Sequence, residues 1–135
     1  MNRKEYAQEL FSKGYNCAQA VAGAFKDDVL VDFDSLMKIS VSFGGGIGGM
    51  RGMCGAVCGM FIISGLITGN PGGSPDKKKE QYEVVKALAE RFKKENETLI
   101  CSEHLNRIKT GETKRSCKDM VCLAVEVAEE ILLKG

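Results

Sequence analysis

The sequence has no tryptophan, only two prolines and a single histidine, His104, among its 135 residues. A Cys–His nucleophilic pair would have to use that one histidine, so histidine-based catalysis has little support and nothing else resembles a hydrolase. The net charge is +1 and no long basic stripe is present, so nucleic-acid binding lacks electrostatic support. What the sequence does have is six cysteines and sixteen glycines, and these residues carry the functional argument.

The sequence also lacks an apolar run long enough to span a membrane. Residues 53–68 are apolar, but this stretch is shorter than the roughly 20 residues of a membrane span and contains three glycines, so a buried core helix is predicted instead. The first residues are polar and charged, with no apolar signal segment after them. We therefore expect a cytoplasmic protein with no membrane partner. Structural disulfides are uncommon in that compartment, where cysteines are more often ligands, catalysts or buried fillers.

Helical periodicity dominates the chain and predicts an all-α fold of about six or seven helices. The length suits one domain, residues 1–135, with one core. A glycine- and proline-rich segment, residues 69–75, is expected to end the central helix. The first two predicted helices cover residues 2–11 and 15–25, and a third is capped by Asp32 or Asp34 and carries Ile39. The remaining helices are predicted over residues 53–68, 76–96, 101–105 and 117–134.

Apolar stripes at helical spacing indicate which side chains face the core. Cys17 and Cys117 each lie on such a stripe, whereas Cys122 lies off the stripe of the last helix. The predicted core faces are Cys17, Ala20, Val21, Ala24 and Phe25 in the second helix, Tyr82, Val85, Leu88, Ala89 and Phe92 in the fifth, and Cys117, Val121, Ala124, Ala128 and Ile131 in the last.

A glycine-rich loop, residues 44–52, leads into the helix that begins near Cys54. A thiol in the first turn of a helix lies near unpaired backbone N–H groups and the positive end of the dipole, which both favour the thiolate. The loop contains a G-x-G-x-x-G pattern, but no strand precedes it and no acidic residue follows at the required spacing, so nucleotide binding is disfavoured. The glycines instead allow positive φ angles and close approach to a cofactor or another helix. The candidate cofactor-binding glycines are Gly45, Gly46, Gly48, Gly49 and Gly55.

Two further spacings are weaker signals. Cys54 and Cys58 lie one turn apart on the same helical face, but Cys58 is equally consistent with an inert buried thiol. Cys101 and His104 could form half of a zinc site, although a structural zinc needs four ligands and a lone histidine is usually a surface or helix-end residue.

Four motifs together resemble the C_GCAxxG_C_C family, whose name spells its cysteine pattern and which is described as redox-active. They are residues 14–21 around Cys17, the loop 44–48 with residues 54–59, residues 101–103 and the segment from Cys117 to Leu133. The resemblance implies that Cys17, Cys54, Cys101 and Cys117 are the family's four cysteines, whereas Cys58 and Cys122 fall outside the set. Gly55 stands between Cys54 and Ala56, where the family pattern has no residue. The family also implies a bacterial or archaeal cytoplasmic setting and fixes no substrate.

Three functions remain open, and we expect the other three cysteines to converge near Cys54 because their stripes face the same core. In the first, Cys54 is the attacking low-pKa thiolate of a thiol–disulfide redox protein and another of the four resolves the mixed disulfide, with Arg51 adding positive charge nearby. In the second, the four thiolates hold an iron–sulfur cluster and carry electrons. In the third, they bind structural zinc or fill the core of a non-enzymatic assembly module. The expected partner is a redox protein or a small-molecule acceptor. Met50, Met53 and Met60 fit either a homodimer interface or burial within one chain.

Overall fold

The computed structural model describes residues 1–133, and its helices confirm the predicted all-α class. The last predicted helix ends at Lys134, which lies outside the described residues. A π-helical turn, Glu129–Leu133, extends the seventh α-helix. Within residues 1–133 the α-helices are α1 (Arg3–Ser12), α2 (Cys17–Gly23), α3 (Phe33–Val41), α4 (Gly55–Thr68), α5 (Pro75–Asn96), α6 (Cys101–Thr110) and α7 (Cys117–Ala128).

Side-chain caps fix the first residues of α1, α2 and α7. Asn2 and Asn16 each accept a hydrogen bond from a backbone N–H in the first turn, and each forms a reciprocal capping box. Ser116 does the same for α7. Each cap is worth about 1 kcal/mol of stability. These caps make Cys17 and Cys117 the first residues of their helices.

Helix α4 is buried along most of its length and packs against α2, α5 and α7. Its contact with α2 is close because a Cβ on Gly59 would lie only 2.7 Å from the carbonyl oxygen of Ala18. The buried core helix predicted over residues 53–68 is thus confirmed. Across residues 1–133, no helix combines the length and the apolar character that a bilayer crossing requires.

Two details of the helix predictions were wrong. Tyr82 is 59% exposed, because the stripe of α5 that packs inward runs through Leu88 and Phe92 and places Tyr82 to one side. The short helix expected over residues 101–105 continues for ten residues to Thr110, where Gly111 ends it in the left-handed conformation with φ +80°.

The methionines suggested for an interface divide between core and surface. Met60 is fully buried within the chain, whereas Met50 is 75% exposed on the glycine-rich loop. Burial within one chain therefore accounts for Met60, and the homodimer stays a prediction.

Candidate functional site

The glycine-rich loop folds back on itself through left-handed residues. Gly45 and Gly46 have φ of +63° and +73°, and Arg51 has φ +60°. The amide of Arg51 donates to the carbonyl oxygen of Gly45 at 3.0 Å, and the amide of Gly52 donates to that of Gly46 at 2.8 Å. The loop thus closes a tight turn that places the Arg51 side chain beside Cys101.

Gly46 is the position where this turn most strongly requires glycine. A Cβ on Gly46 would lie 2.6 Å from the Cα of Arg51 and 2.7 Å from the Cβ of Cys101. We expect Gly46→Ala to lower the free energy of unfolding by about 2–4 kcal/mol, from backbone strain together with overpacking. Urea denaturation measures this effect.

Gly49 provides the matched control, because its φ is +74° but a Cβ there would meet nothing within 4 Å. Gly49→Ala therefore suffers only the backbone strain, about 1–2 kcal/mol. Equal losses in the two variants would show that Gly46 is not required by its contacts with Arg51 and Cys101.

A short antiparallel pairing holds the starts of α4 and α6 together. The amide of Cys54 donates to the carbonyl oxygen of Leu99, and the amide of Cys101 donates to that of Gly52, both at 2.7 Å. Cys54 and Cys101 are 47 positions apart in the chain, yet this pairing places them on adjacent segments.

Each of the family-type cysteines begins a helix. Cys17, Cys101 and Cys117 are the first residues of α2, α6 and α7, and Cys54 is the N-cap residue of α4. All four line one cavity. The predicted convergence of the four cysteines is therefore confirmed, and their helix positions direct backbone N–H groups and positive dipole ends towards the cavity.

The cavity is small. Its volume is about 50 Å³, whereas pockets that enclose small molecules usually measure about 300–1,000 Å³. It has room for only a few water-sized groups. No Asp or Glu lies among its lining residues, which are Cys17, Gly45, Gly46, Arg51, Cys54, Gly55, Cys101, His104, Leu105, Cys117 and Met120.

The candidate glycines divide into two groups. Gly45, Gly46 and Gly55 line the cavity, whereas Gly48 and Gly49 lie on the exposed part of the loop outside it. Glycine at position 55 keeps α4 close to α2, because a Cβ there would lie 3.3 Å from that of Cys17. A cofactor-binding role for these glycines stays a prediction.

Cys54 differs from its sequence-based prediction. The backbone N–H groups of Ala56 and Val57 do lower its pKa, as expected for a thiol at a helix start. Burial has the larger effect, however, and raises the pKa of Cys54 above its ordinary value. The prediction that Cys54 is the low-pKa thiolate was therefore wrong, because desolvation outweighs the helix terminus.

Cys117 is the thiol with the lowered pKa. A hydrogen bond with the Cys17 thiol, opposed by burial and assisted by the positive charge of Arg51, lowers the pKa of Cys117 to about 6. The same hydrogen bond, together with burial, raises the pKa of Cys17. Of the two interacting thiols, Cys117 therefore ionises first and Cys17 keeps its proton. Apart from the two core-facing stripes, no sequence feature indicated this pairing.

His104 is buried in the cavity wall rather than lying at the surface. Its Nε2 donates to the carbonyl oxygen of Arg115 at 2.8 Å, which leaves Nδ1 to accept from the side-chain amide of Asn96 at 3.5 Å. Burial lowers the pKa of His104, so the ring is neutral at neutral pH. Both nitrogens are occupied, which argues against a Cys–His pair and against a zinc half-site formed with Cys101.

The two cysteines outside the family pattern lie outside the cavity. The Cys58 thiol is buried and points to the carbonyl oxygen of Met53 at 3.8 Å, and burial raises its pKa to about 11. The Cys122 sulfur accepts a hydrogen bond at 3.2 Å from Gln8 of α1, away from the cavity. Neither residue takes part in the cysteine cluster.

No group of three or more His, Cys, Asp or Glu side chains in residues 1–133 is arranged to hold a single metal ion. The zinc alternative, with Cys17, Cys54, Cys101 and Cys117 as ligands, therefore has no preformed ligand set in this part of the chain.

Four cysteines gathered at helix starts make this helical protein a candidate for cysteine-based redox chemistry. Comparison with known families shows which family it belongs to. Residues 15–131 match the family model described as "Putative redox-active protein (C_GCAxxG_C_C)". The chain belongs to this C_GCAxxG_C_C family, as the sequence resemblance indicated. No curated protein and no solved structure matches the chain.

Proposed function

We propose that the protein is a thiol–disulfide redox protein in which Cys117 is the attacking thiolate and Cys17 is the resolving thiol. The observation that carries the proposal is that Cys17 and Cys117 lie together in the wall of the four-cysteine cavity, where their thiols shift each other's pKa values in opposite directions. Thiolates, not thiols, attack disulfides, so the lowered pKa of Cys117 assigns the first step to that residue.

The reaction transfers two electrons from the protein dithiol to a substrate disulfide. The Cys117 thiolate attacks one substrate sulfur, the substrate S–S bond breaks, and the first thiolate leaves with its electron pair. Cys17 then loses its proton to that leaving thiolate and attacks the Cys117 sulfur, which releases the second substrate thiolate. The products are a Cys17–Cys117 disulfide, one substrate thiol and one substrate thiolate, so that atoms, electrons and charge balance.

The size of the cavity limits what can react. About 50 Å³ admits a sulfur atom and its immediate neighbours but not a whole organic molecule. Cys17 and Cys117 are half-buried rather than enclosed, so a disulfide can reach them from the surface. The expected partner is thus a small disulfide or an exposed disulfide of a redox protein.

An iron–sulfur electron carrier is the second candidate. Four thiols without a competing carboxylate match the usual ligands of such clusters, and the starts of α4, α6 and α7 place positive dipole ends where an anionic cluster would lie. Cys17, Cys54, Cys101 and Cys117 would hold the cluster, which supplies one-electron transfer when bound. Backbone N–H groups of the glycine-rich loop would then tune its potential.

Purification without oxygen, followed by intact mass, thiol counting and iron and zinc analysis, tests both candidates. The dithiol proposal expects a metal-free protein that loses two thiols and two hydrogens when treated with hydroxyethyl disulfide, and regains both with a reductant. Four thiols protected by stoichiometric iron and absorbance near 400 nm would instead establish the cluster. If the thiols react one at a time, rather than being lost in pairs, the dithiol proposal is overturned.

A further inference from the structure

Arg51 is the one positively charged side chain in the cavity wall. Its Nη1 lies 3.8 Å from the Cys101 sulfur, and a Cβ on Gly45 would lie 3.7 Å from the same nitrogen, so the guanidinium lies against the loop. The side chain is nevertheless exposed on its outer side. The Arg51 side chain therefore lies between the cysteines of the cavity and the solvent.

No carboxylate of the surrounding protein within residues 1–133 neutralises the charge of Arg51. In the described part of the chain no carboxylate comes within ion-pair distance of its guanidinium, whereas Arg3, Arg91 and Arg107 each pair with two. No Asp or Glu lines the cavity either. A guanidinium without a carboxylate partner offers donors in a planar fork that matches the carboxylate of a ligand.

The backbone of Arg51 is held in an unusual conformation. Its φ of +60° is uncommon for a residue other than glycine and costs about 1 kcal/mol or more. Its amide donates to the carbonyl oxygen of Gly45, and its own carbonyl oxygen accepts from the amide of Ser102 at 3.2 Å. These two hydrogen bonds fix the base of the side chain relative to Cys101.

We propose that Arg51 is the specificity-determining residue of the site and that its guanidinium binds the carboxylate of a small disulfide substrate while one substrate sulfur enters the cavity. The proposal rests on the proposed thiol–disulfide function. The cavity accepts only the sulfur end of such a molecule, so its charged end must stay at the entrance, where Arg51 lies. The substrate class is thus a low-molecular-weight disulfide that carries a carboxylate a few bonds from the sulfur.

Three disulfides that differ in the charge of their end groups test this assignment: dithiodipropionate is anionic, hydroxyethyl disulfide is neutral and cystamine is cationic. Each rate constant is divided by that of the same disulfide with 2-mercaptoethanol, because the leaving thiols differ in pKa and therefore in intrinsic reactivity. We expect this normalised rate in the wild-type protein at low salt to be about tenfold higher for dithiodipropionate than for hydroxyethyl disulfide, and lowest for cystamine. In Arg51→Gln the three normalised rates should come within about threefold of one another. Arg51→Lys keeps the charge and should retain the order with a smaller difference.

The ratio of rates separates binding from reactivity. Loss of Arg51 also raises the pKa of Cys117 and so lowers its fraction of thiolate. That change slows the reaction with all three reagents alike and cancels in the ratio. Lys109→Gln is the matched control, because it removes one positive charge from the last turn of α6, outside the cavity, and should keep the wild-type ratios.

The outcomes distinguish the two proposals. Equal normalised rates with all three disulfides in the wild type, or unchanged normalised rates in Arg51→Gln, would overturn the role of Arg51 and leave the thiol–disulfide function standing. If none of the three reagents oxidises the protein, the proposed function fails and the assignment of Arg51 fails with it.

Discussion

Replacing Cys117 with serine is expected to slow the reduction of hydroxyethyl disulfide by at least about a thousandfold, because a serine hydroxyl is not ionised at neutral pH and does not attack sulfur. The change in volume is small and Cys117 is only half-buried, so the fold should survive. Stopped-flow measurement of thiol release gives the rate constant.

Cys17→Ser should have a different effect on the same reaction. Cys117 can still attack, but the resolving thiol is missing, so the chain should stop at a mixed disulfide. Intact mass would then show the wild-type mass change replaced by an adduct of one half of the reagent. If no adduct accumulates, Cys54 or Cys101 resolves the mixed disulfide instead of Cys17.

Cys122→Ser is the control for both variants, because Cys122 is equally half-buried, lies on the same helix and contacts Gln8 outside the cavity. Its rate should stay within about twofold of the wild type, as for most surface changes. A Cys117→Ser protein that reacts at the wild-type rate would assign the attack to another cysteine and contradict the proposed order of steps.

The helix starts could be predicted from the sequence because capping is a local interaction. Asn2, with Glu5 three residues later, and Asn16, with Gln19 three residues later, carry the whole signal within four positions. Gly111 likewise marks the end of α6, although the prediction ended that helix too early. Tyr82 was wrongly predicted to face the core. It belongs to the apolar stripe of α5, but a stripe that includes a tyrosine does not show which of its edges packs inward.

The composition of the site was predictable, but its electrostatics were not. Core-facing stripes and the family pattern brought Cys17, Cys54 and Cys117 together correctly. The protonation of each thiol depends on neighbours from distant parts of the chain, since Cys17 and Cys117 are 100 positions apart. A helix start was visible at Cys54, yet the burial that opposes its effect comes from packing between helices.

His104 shows the same limit. Its burial requires partners for both ring nitrogens, and these come from the C-terminal end of α5 and from the segment before α7. Nothing within a few residues of His104 indicates either partner. A lone histidine was therefore expected at the surface or at a helix end, whereas His104 is a neutral part of the cavity wall.

The pH dependence of Cys117 provides the second large expected effect. Its pKa of about 6 predicts that alkylation by iodoacetamide rises with pH through pH 6 and is level above pH 7. The sign follows from the chemistry, since the thiolate reacts and the fraction of thiolate grows until the pKa is passed. An unperturbed cysteine, with a pKa of about 8.5, would continue to gain reactivity up to about pH 9.

Cys17→Ala removes the hydrogen bond that contributes most to the lowered pKa of Cys117, so the midpoint should move upward. At pH 6 alkylation of Cys117 should fall by about tenfold, as the loss of thiolate exceeds the gain in nucleophilicity. At pH 9 the variant should match or exceed the wild type, because both are then largely thiolate and the more basic thiolate is the better nucleophile. Peptide mapping of the alkylated protein assigns the rate to Cys117.

Cys101→Ala is the comparison, because Cys101 lines the same cavity but does not contribute to the lowered pKa of Cys117. Its alkylation midpoint should stay near that of the wild type. A crossing of the two pH profiles in Cys17→Ala, without one in Cys101→Ala, identifies the shared proton of the Cys17–Cys117 pair as the source of reactivity. Parallel profiles in all three proteins would mean that the Cys17 thiol does not stabilise the Cys117 thiolate, and the order of attack and resolution proposed for the pair would then be wrong.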